Sequence, residues 1–243
     1  MRRVVVRCGL ALGVVAVCAQ AWAGVPAQFE VVEQFAAQLS AGFLGRVRDV
    51  LATGVVHTEH ELFVRSVAGP EVNARLRELI NQGARLEVAF ESASAGGAVI
   101  VTREEMWLDD VSEHLLPLRS TGVYVVDGGR VHGITRLLDA DQRDALMREA
   151  IVGDWLTSTG YSFRLRADGT YDIAVGTRAS DSGRYTIEAG VMRIVSGEET
   201  VDCQPGNVGL WRHVFTSHDR IDSERLEDTC HTSPRVDLRR ITE

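Results

Sequence analysis

The sequence changes its pattern near residue 150, and this change limits the folds that are open to the chain. Before that point, segments with the helical spacing of apolar residues are mixed with strand-like segments. After it, short alternating stretches are separated by Gly, Asp, Asn and Ser, and no stretch has convincing helical spacing. The roughly 220 residues from position 24 onward exceed one average domain. We therefore predict two domains, residues 24–150 and residues 151–243.

The first domain combines helices with long strands. Pro26 suits the first turn of a helix, Gly83 suits the end of another, and residues 127–129, Asp-Gly-Gly, are typical of a hairpin turn. The sequence predicts helices over 26–40, 44–52, 70–83 and 139–149, and strands over 55–64, 84–92, 97–109, 112–126 and 130–138. This order predicts an α+β fold in which helices pack on a curved antiparallel sheet.

The second domain has the pattern of strands throughout. Asp168 and Gly169 mark a hairpin turn between two alternating segments. Roughly seven or eight short strands in succession predict a small all-β antiparallel barrel, with an open β-sandwich as the alternative.

Two short motifs carry a resemblance in the first domain. Gly69 and Pro70 precede the third helix, and residues 127–131, Asp-Gly-Gly-Arg-Val, lie late in the domain. With the order of elements over 27–140, they resemble the nuclear transport factor 2-like superfamily, near its SnoaL-like and steroid-isomerase-like members. The resemblance implies an α+β cone that holds a ligand between the sheet and the first helices. Because that fold hosts isomerases, cyclases, dehydratases and binding modules, it does not by itself select a function.

The Gly-x-Trp motif that ends at Trp155, together with an arginine in the last strand, resembles lipocalin-type barrels over residues 151–243. In such barrels the tryptophan lies across the closed end, and an arginine of the last strand packs over its ring. If Leu238 points inward, alternation turns Arg240 inward as well and leaves Arg239 in solvent. The resemblance therefore implies a contact between Arg240 and Trp155.

The steroid-isomerase-like members use a carboxylate base, a helix tyrosine and a protonated carboxylic acid. Carried over position by position, the base falls on Glu59, the tyrosine on Phe35 and the acid on Gly122. Neither oxyanion donor is present at these positions, and the loss of one donor typically costs about 10²–10³ in rate. We therefore do not expect this chain to catalyse steroid-type isomerisation.

His57 and Glu59 belong to the densest titratable group in the chain. Strand alternation places both on one face, where they could act as a general base, or else they are exposed polar residues at a strand end. If Glu59 is buried in the pocket, desolvation is expected to raise its pKa. A metal site is not expected here, because only the distant His114 could supply a third ligand. The charged run 103–105 is interpreted as solvated.

The cone is expected to hold an apolar pocket between helices and sheet. Its predicted lining comprises Phe35, Leu39, Val56, Leu79, Met106, Thr121 and Tyr124. We predict that the protein binds a small apolar molecule or a partner without chemistry. The alternatives are a SnoaL-like isomerase, lyase or hydrolase that uses Glu59 and His57, or an envelope protein that forms a homodimer through the cone sheet. The scattered histidines of the second domain are interpreted as incidental, and no cofactor motif is found.

The first 23 residues predict a signal peptide. Arg2, Arg3 and Arg7 precede an apolar run over 8–17, and residues 21–23, Ala-Trp-Ala, suit a signal peptidase. The run is shorter than the about 20 residues that cross a bilayer, so no stable membrane insertion is expected after cleavage. We therefore expect a periplasmic or secreted protein. Lipidation at Cys18 is the alternative to cleavage after Ala23.

Removal of this segment also changes the charge and the cysteine count. Without its three arginines, the formal net charge falls from −8 to −11, which disfavours nucleic acid as a partner. Only Cys203 and Cys230 then remain. In an oxidising compartment these two cysteines are expected to form a disulfide, and their isolated spacing argues against a metal site.

Overall fold

The computed structural model describes residues 25–198 and 202–241. The predicted signal peptide lies outside the described residues. Within those ranges, no helix is long and apolar enough to cross a membrane.

Three helices cover one face of the first sheet. They are α1 (Ala27–Ser40), α2 (Leu44–Asp49) and α3 (Pro70–Asn81). Helix α1 follows Pro26 and buries the apolar stripe Phe29, Val32, Phe35, Ala36 and Leu39, as its 3.6-residue period predicts. Pro70 lies in the first turn of α3, where a missing N–H costs nothing.

The sheet of the first domain is mixed rather than antiparallel as predicted. Its strands are β1 (Leu51–His60), β2 (Val64–Ala68), β3 (Arg85–Ala93), β4 (Val99–Trp107), β5 (Leu118–Asp127) and β6 (Arg130–Leu138). They lie in the order β2-β1-β6-β5-β4-β3. Strand β1 pairs in parallel with β6, and the other neighbours are antiparallel. The difference arises because the last strand returns to the centre of the sheet, a long-range pairing that local patterns do not encode.

The predicted strand over 55–64 is in fact two strands. Strand β1 begins at Leu51, and it ends at His60, where the chain turns back into β2. Leu62 and Phe63 in this turn pack against the core of the second domain, and the Phe63 ring lies 5.2 Å from that of His218. This turn of the first domain therefore contacts the second domain.

The second domain is a closed antiparallel barrel, so the sandwich alternative is wrong. Its strands are β7 (Gly153–Thr157), β8 (Tyr161–Leu165), β9 (Thr170–Val175), β10 (Arg178–Glu188), β11 (Val191–Ser196), β12 (Val208–Ser217), β13 (Arg220–Asp228) and β14 (Arg235–Arg240). Strand β14 pairs with β7, which closes the barrel. Closure leaves no free sheet edge in this domain.

Helix α4 (Ala140–Ala150) connects the sheet to the barrel. Met147 belongs to the barrel core, and the Asp144 carboxylate accepts hydrogen bonds from the backbone N–H groups of Ala189 and Gly190, at 2.6 and 2.9 Å. Both of these turn residues have positive φ, which directs their N–H groups toward the helix. The helix is therefore fixed to the β10–β11 turn.

One end of the barrel is closed by Trp155. Its ring is fully buried, and the Arg240 guanidinium lies 4.3 Å from the ring centroid, whereas Arg239 is exposed. Arg240 also donates to the backbone carbonyls of Val152, at 2.9 Å, and Ala150. A Cβ on Gly153 would lie 2.7 Å from the same guanidinium. The predicted contact between Arg240 and Trp155 is confirmed, and the glycine of the Gly-x-Trp motif leaves room for the arginine.

Arg240→Ala is therefore expected to destabilise the protein by roughly 2–4 kcal/mol, because it removes a partly desolvated cation–π contact and two carbonyl hydrogen bonds. The matched change Arg239→Ala should alter the free energy of unfolding by no more than about 0.5 kcal/mol. Urea unfolding of the full chain measures both. Equal effects would contradict the role of Arg240.

Candidate functional site

A cluster of ionisable side chains is buried on the inner face of the first sheet. We call it the cone cluster, and it comprises His57, Glu59, Arg75, Glu104, Tyr124 and Arg136. The alternation of β1 turns His57 and Glu59 inward together, as predicted. Strands β4, β5 and β6 each contribute one further member, and α3 contributes Arg75. The alternative interpretation of His57 and Glu59 as exposed strand-end residues is wrong.

Glu59 is held between two arginines. Its Oε2 accepts from Arg75 Nε at 2.7 Å, and its Oε1 lies 3.5 Å from Arg136 Nη1 and 3.4 Å from His57 Nε2. Burial alone would raise the pKa of Glu59, but His57, Arg136 and Arg75 outweigh it and hold the pKa below its ordinary value. The expected rise of this pKa is therefore wrong, because neither arginine was visible as a partner in the sequence.

Glu104 is the member of the cluster that the sequence analysis missed. Its carboxylate accepts from Arg136 Nε at 2.6 Å, from Ser120 Oγ at 3.2 Å and from the Tyr124 hydroxyl. The side chain is completely buried, so the interpretation of the run 103–105 as solvated is wrong for Glu104. A Cβ at Gly122 would lie 2.3 Å from Glu104 Oε1. The Glu104 carboxylate thus occupies the space that the glycine leaves on the neighbouring strand.

The protonation states of the cluster follow from its burial and its charges. Burial and the charge of Glu104 raise the pKa of the Tyr124 phenol well above its ordinary value, so the phenol remains a donor. Burial lowers the pKa of His57 to about 4, so the imidazole is neutral at pH 7. Neither ring nitrogen of His57 forms a hydrogen bond within the described residues. Arg75 and Arg136 therefore pair with Glu59 and Glu104 beside a neutral imidazole, and Arg75 also pairs with Glu78 at 2.9 Å.

The predicted pocket residues of the cone do not all lie on the same side of the sheet. Phe35, Leu39, Leu79, Met106 and Tyr124 belong to one buried core. Val56 and Thr121 do not belong to it, because inward positions on their strands are taken by Val55 and by Ser120 and Gly122. The prediction that these two residues share a cavity with the others is wrong. A binding role of the rest stays a prediction.

The outer face of this sheet is partly apolar. Val56, Val125 and Leu137 are each about two-fifths exposed on it. The homodimer expected through this sheet stays a prediction.

A cavity of about 330 Å³ lies inside the barrel. Its lining is mainly aliphatic and aromatic, with hydroxyl groups, two histidines and the disulfide among the remainder. Representative lining residues are Phe163, Ile173, Met192, Ile194, Trp211, His213, Ser223 and Leu238. The ligand site predicted from the sequence lies in the cone, and this cavity was not predicted. The signal that could have found it is the alternation of β12, which turns Trp211, His213 and Phe215 inward.

His213 is the buried polar group of this cavity. Its Nδ1 lies 2.6 Å from the Ser223 hydroxyl on the neighbouring strand, whereas Nε2 has no hydrogen-bond partner among the described residues. Burial lowers the pKa of His213 to about 4, so the ring is neutral at pH 7. The interpretation of His213 as incidental does not explain why this histidine is buried in the cavity wall beside Ser223.

The end of the cavity opposite Trp155 is bordered by the disulfide. Cys203 and Cys230 are joined, with their Cα atoms 5.4 Å apart, which confirms the predicted pair. His231 lies beside them, 2.8 Å from an Asp228 carboxylate oxygen and 3.4 Å from one of Asp181. The cysteines and His231 are close enough to suggest a metal site, but the disulfide leaves no thiolate as a ligand.

No model of a protein family matches the chain, and no curated protein is similar to it in sequence. Among solved structures, a Mycobacterium tuberculosis LEH-like epoxide hydrolase is 21% identical over 48% of this chain and 85% of its own, with a TM-score of 0.37. The epoxide hydrolase/cyclase-like enzyme SalBIII of salinomycin formation is 10% identical over 47% and 92%, with a TM-score of 0.40. An NTF2-like protein of unknown function from Mesorhizobium loti is 14% identical over 46% and 90%, with a TM-score of 0.38. Similarity at this level assigns neither a family nor an activity to the chain.

Proposed function

We propose that the protein is an exported binding protein that holds a small, mainly apolar molecule in the barrel cavity and performs no chemistry on it. The observation that carries the proposal is the space itself, about 330 Å³ lined mainly by apolar side chains. Pockets for small molecules typically measure about 300–1,000 Å³ and combine an apolar lining with few polar groups. Export is part of the proposal. It is supported by the N-terminal pattern and by a disulfide, which persists in oxidising compartments.

The barrel is a better candidate than the cone for holding a ligand. The inner face of the cone is filled by an apolar core and by the cone cluster, in which Glu59 and Glu104 are paired with Arg75 and Arg136. None of the cluster residues lines the barrel cavity. A ligand in the cone would have to separate buried ion pairs, which is costly. A ligand in the barrel would instead cover apolar surface of the cavity lining without separating an ion pair of the cone cluster.

General-base catalysis in the cone is the second candidate. It is favoured by Glu59, which is inward-facing and ionised at neutral pH because its pKa is lowered. Against it, the two arginines that lower this pKa also make the carboxylate a weaker base. A substrate would further need access to Glu59, whose side chain is buried. Ligand binding in the barrel requires neither a stronger base at Glu59 nor access to it.

The proposal is tested by filling the cavity. Ile194→Phe adds volume to the lining, whereas Val214→Phe adds the same class of side chain to the outside of β12, where Val214 is half exposed. In calorimetric titrations, naphthalene should bind the wild-type protein and the Val214→Phe variant equally. Binding to Ile194→Phe should be weaker by roughly tenfold or more, because the cavity wall cannot yield without strain.

Native mass spectrometry of the exported protein provides the second measurement. A mainly apolar molecule should copurify with the wild-type chain and be lost from Ile194→Phe. If naphthalene fails to bind, or binds all three proteins equally, the barrel is not the binding site.

A further inference from the structure

We propose that His213 Nε2 is the polar recognition point of the barrel cavity, and that the ligand is an uncharged, mainly apolar molecule with one hydroxyl group. This proposal rests on the proposed function, because it requires that the cavity be occupied. It goes beyond that function by naming the chemical class of the ligand and the residue that selects it.

The position of His213 is fixed by its two neighbouring strands. It lies between Trp211 and Phe215 on the inward side of β12, and it is paired across the sheet with Ser223 of β13. Both His213 and Ser223 line the cavity and both are buried. The imidazole therefore belongs to the wall of the cavity and not to the solvent-exposed rim.

Only one of the two ring nitrogens of this imidazole has a hydrogen-bond partner among the described residues. Nδ1 and the Ser223 hydroxyl are 2.6 Å apart, whereas no protein group among the described residues bonds to Nε2. Buried polar atoms in proteins are nearly always hydrogen-bonded. A ligand group that reaches Nε2 would complete the pair, and a purely apolar ligand would leave the nitrogen desolvated and unbonded.

The neutral state of the ring limits the charge of the ligand. His213 is wholly buried, and its burial keeps the imidazole uncharged at pH 7. Asp202, the acidic residue among those that line the cavity, is already paired with Arg178 and Ser180. A carboxylate ligand would lose its hydration in this cavity without gaining a cation beside His213, so anions are disfavoured.

A hydroxyl group suits His213 better than a neutral group that can only accept. If the Ser223 hydroxyl donates to Nδ1, then Nε2 carries the proton and donates to the ligand. If Nδ1 donates to Ser223, then Nε2 accepts from the ligand. A hydroxyl both donates and accepts, so it serves either tautomer, whereas an ether oxygen serves only the first.

The test compares four probes of one shape: naphthalene, 2-methoxynaphthalene, 2-naphthol and 2-naphthoate, titrated by calorimetry at pH 7. On the wild-type protein, 2-naphthol should bind about tenfold more tightly than naphthalene, the gain expected of one hydrogen bond that satisfies a buried nitrogen. The anionic 2-naphthoate should bind more weakly than 2-naphthol. The methyl ether then reports the tautomer: affinity near that of 2-naphthol means that Nε2 donates, and affinity near that of naphthalene means that it accepts.

A variant assigns the gain to His213. His213→Phe should retain naphthalene binding and abolish the preference for 2-naphthol, whereas His132→Phe, at an exposed histidine of β6, should change neither. Should His213→Phe fail to fold, the ¹⁵N chemical shift of His213 Nε2 in the wild-type protein answers the same question. It should move with 2-naphthol and remain nearly unchanged with naphthalene.

The outcomes separate this inference from the proposed function. Equal affinity for naphthalene and 2-naphthol, or tighter binding of 2-naphthoate, overturns the inference and leaves apolar binding in the barrel intact. A preference for 2-naphthol that persists in His213→Phe also overturns it. If none of the four probes binds, the proposed function fails, and the inference fails with it.

Discussion

The free energy of unfolding is expected to fall by several kcal/mol when the pH is lowered from 7 to 4.5. His57 and His213 are buried, and burial lowers the pKa of each to about 4. In the unfolded chain a histidine titrates near 6.5, so below that pH the unfolded state binds protons that the folded state excludes. The stability is complete above pH 6.5 and is lost as the pH falls toward 4, by up to about 3 kcal/mol for each histidine.

The groups around each histidine differ, which makes the two contributions separable. His57 faces Glu59 and Glu104, which favour its protonation, and Arg136 and Arg75, which oppose it. Burial is the only cause that acts on His213. Glu59, whose pKa is lowered in the folded protein, should add a further loss at pH values below the ordinary range of glutamate.

Urea unfolding at pH 7, 5.5 and 4.5 measures this dependence. His213→Phe should reduce the pH-dependent loss by about half, since it removes one of two similar contributions. The exposed His132→Phe should leave the loss unchanged. A wild-type protein that is equally stable at pH 7 and pH 4.5 would show that these imidazoles are not desolvated.

Local sequence patterns correctly predicted those features that depend on short-range rules, such as the strand face on which a side chain lies. The period of two on β1 placed His57 and Glu59 on one face of the strand, which the structure shows to be the inward face. The same rule on β14 distinguished Arg240 from Arg239. The disulfide followed from the number of cysteines that remain after the predicted signal peptide.

The same period explains the errors at Val56 and Thr121. A shift of one residue along a strand moves a side chain to the opposite face. Both residues neighbour inward-facing positions, so the candidate lining combined side chains that cannot meet. Burial could not be read from the residue type either, because valine and threonine are common on both faces of a sheet.

The cone cluster could not be predicted, because it depends on strand order and register. Glu59 and Arg136 are 77 residues apart in sequence, yet they are direct neighbours across the parallel pair β1–β6. Glu104 reaches the same place only because Gly122, on the strand between β4 and β6, has no side chain. The barrel cavity was missed for a related reason: its volume depends on how side chains from all eight strands fill the interior.

Arg136→Met is expected to destabilise the protein by about 3–5 kcal/mol, the typical cost of removing one partner of a buried ion pair. Arg136 bridges Glu104, at 2.6 Å, and Glu59, at 3.5 Å, so its loss leaves one buried carboxylate without its main partner and weakens the pairing of the other. Met retains much of the volume, so the effect reports charge and not a cavity. Urea unfolding at pH 7 measures it, and the control Arg103→Met, at a largely exposed arginine of β4, should change the stability by no more than about 0.5 kcal/mol.

Adding Glu104→Gln to Arg136→Met should restore part of the lost stability, because the amide removes the uncompensated charge. Its carbonyl oxygen can still accept from the Tyr124 hydroxyl, and its NH2 group can donate to the Ser120 hydroxyl. If the double variant is instead less stable than Arg136→Met by the full cost of Glu104→Gln alone, the two residues act independently. In that case the arginine would stabilise the fold through the packing of its side chain, and not through the ion pairs that the distances indicate.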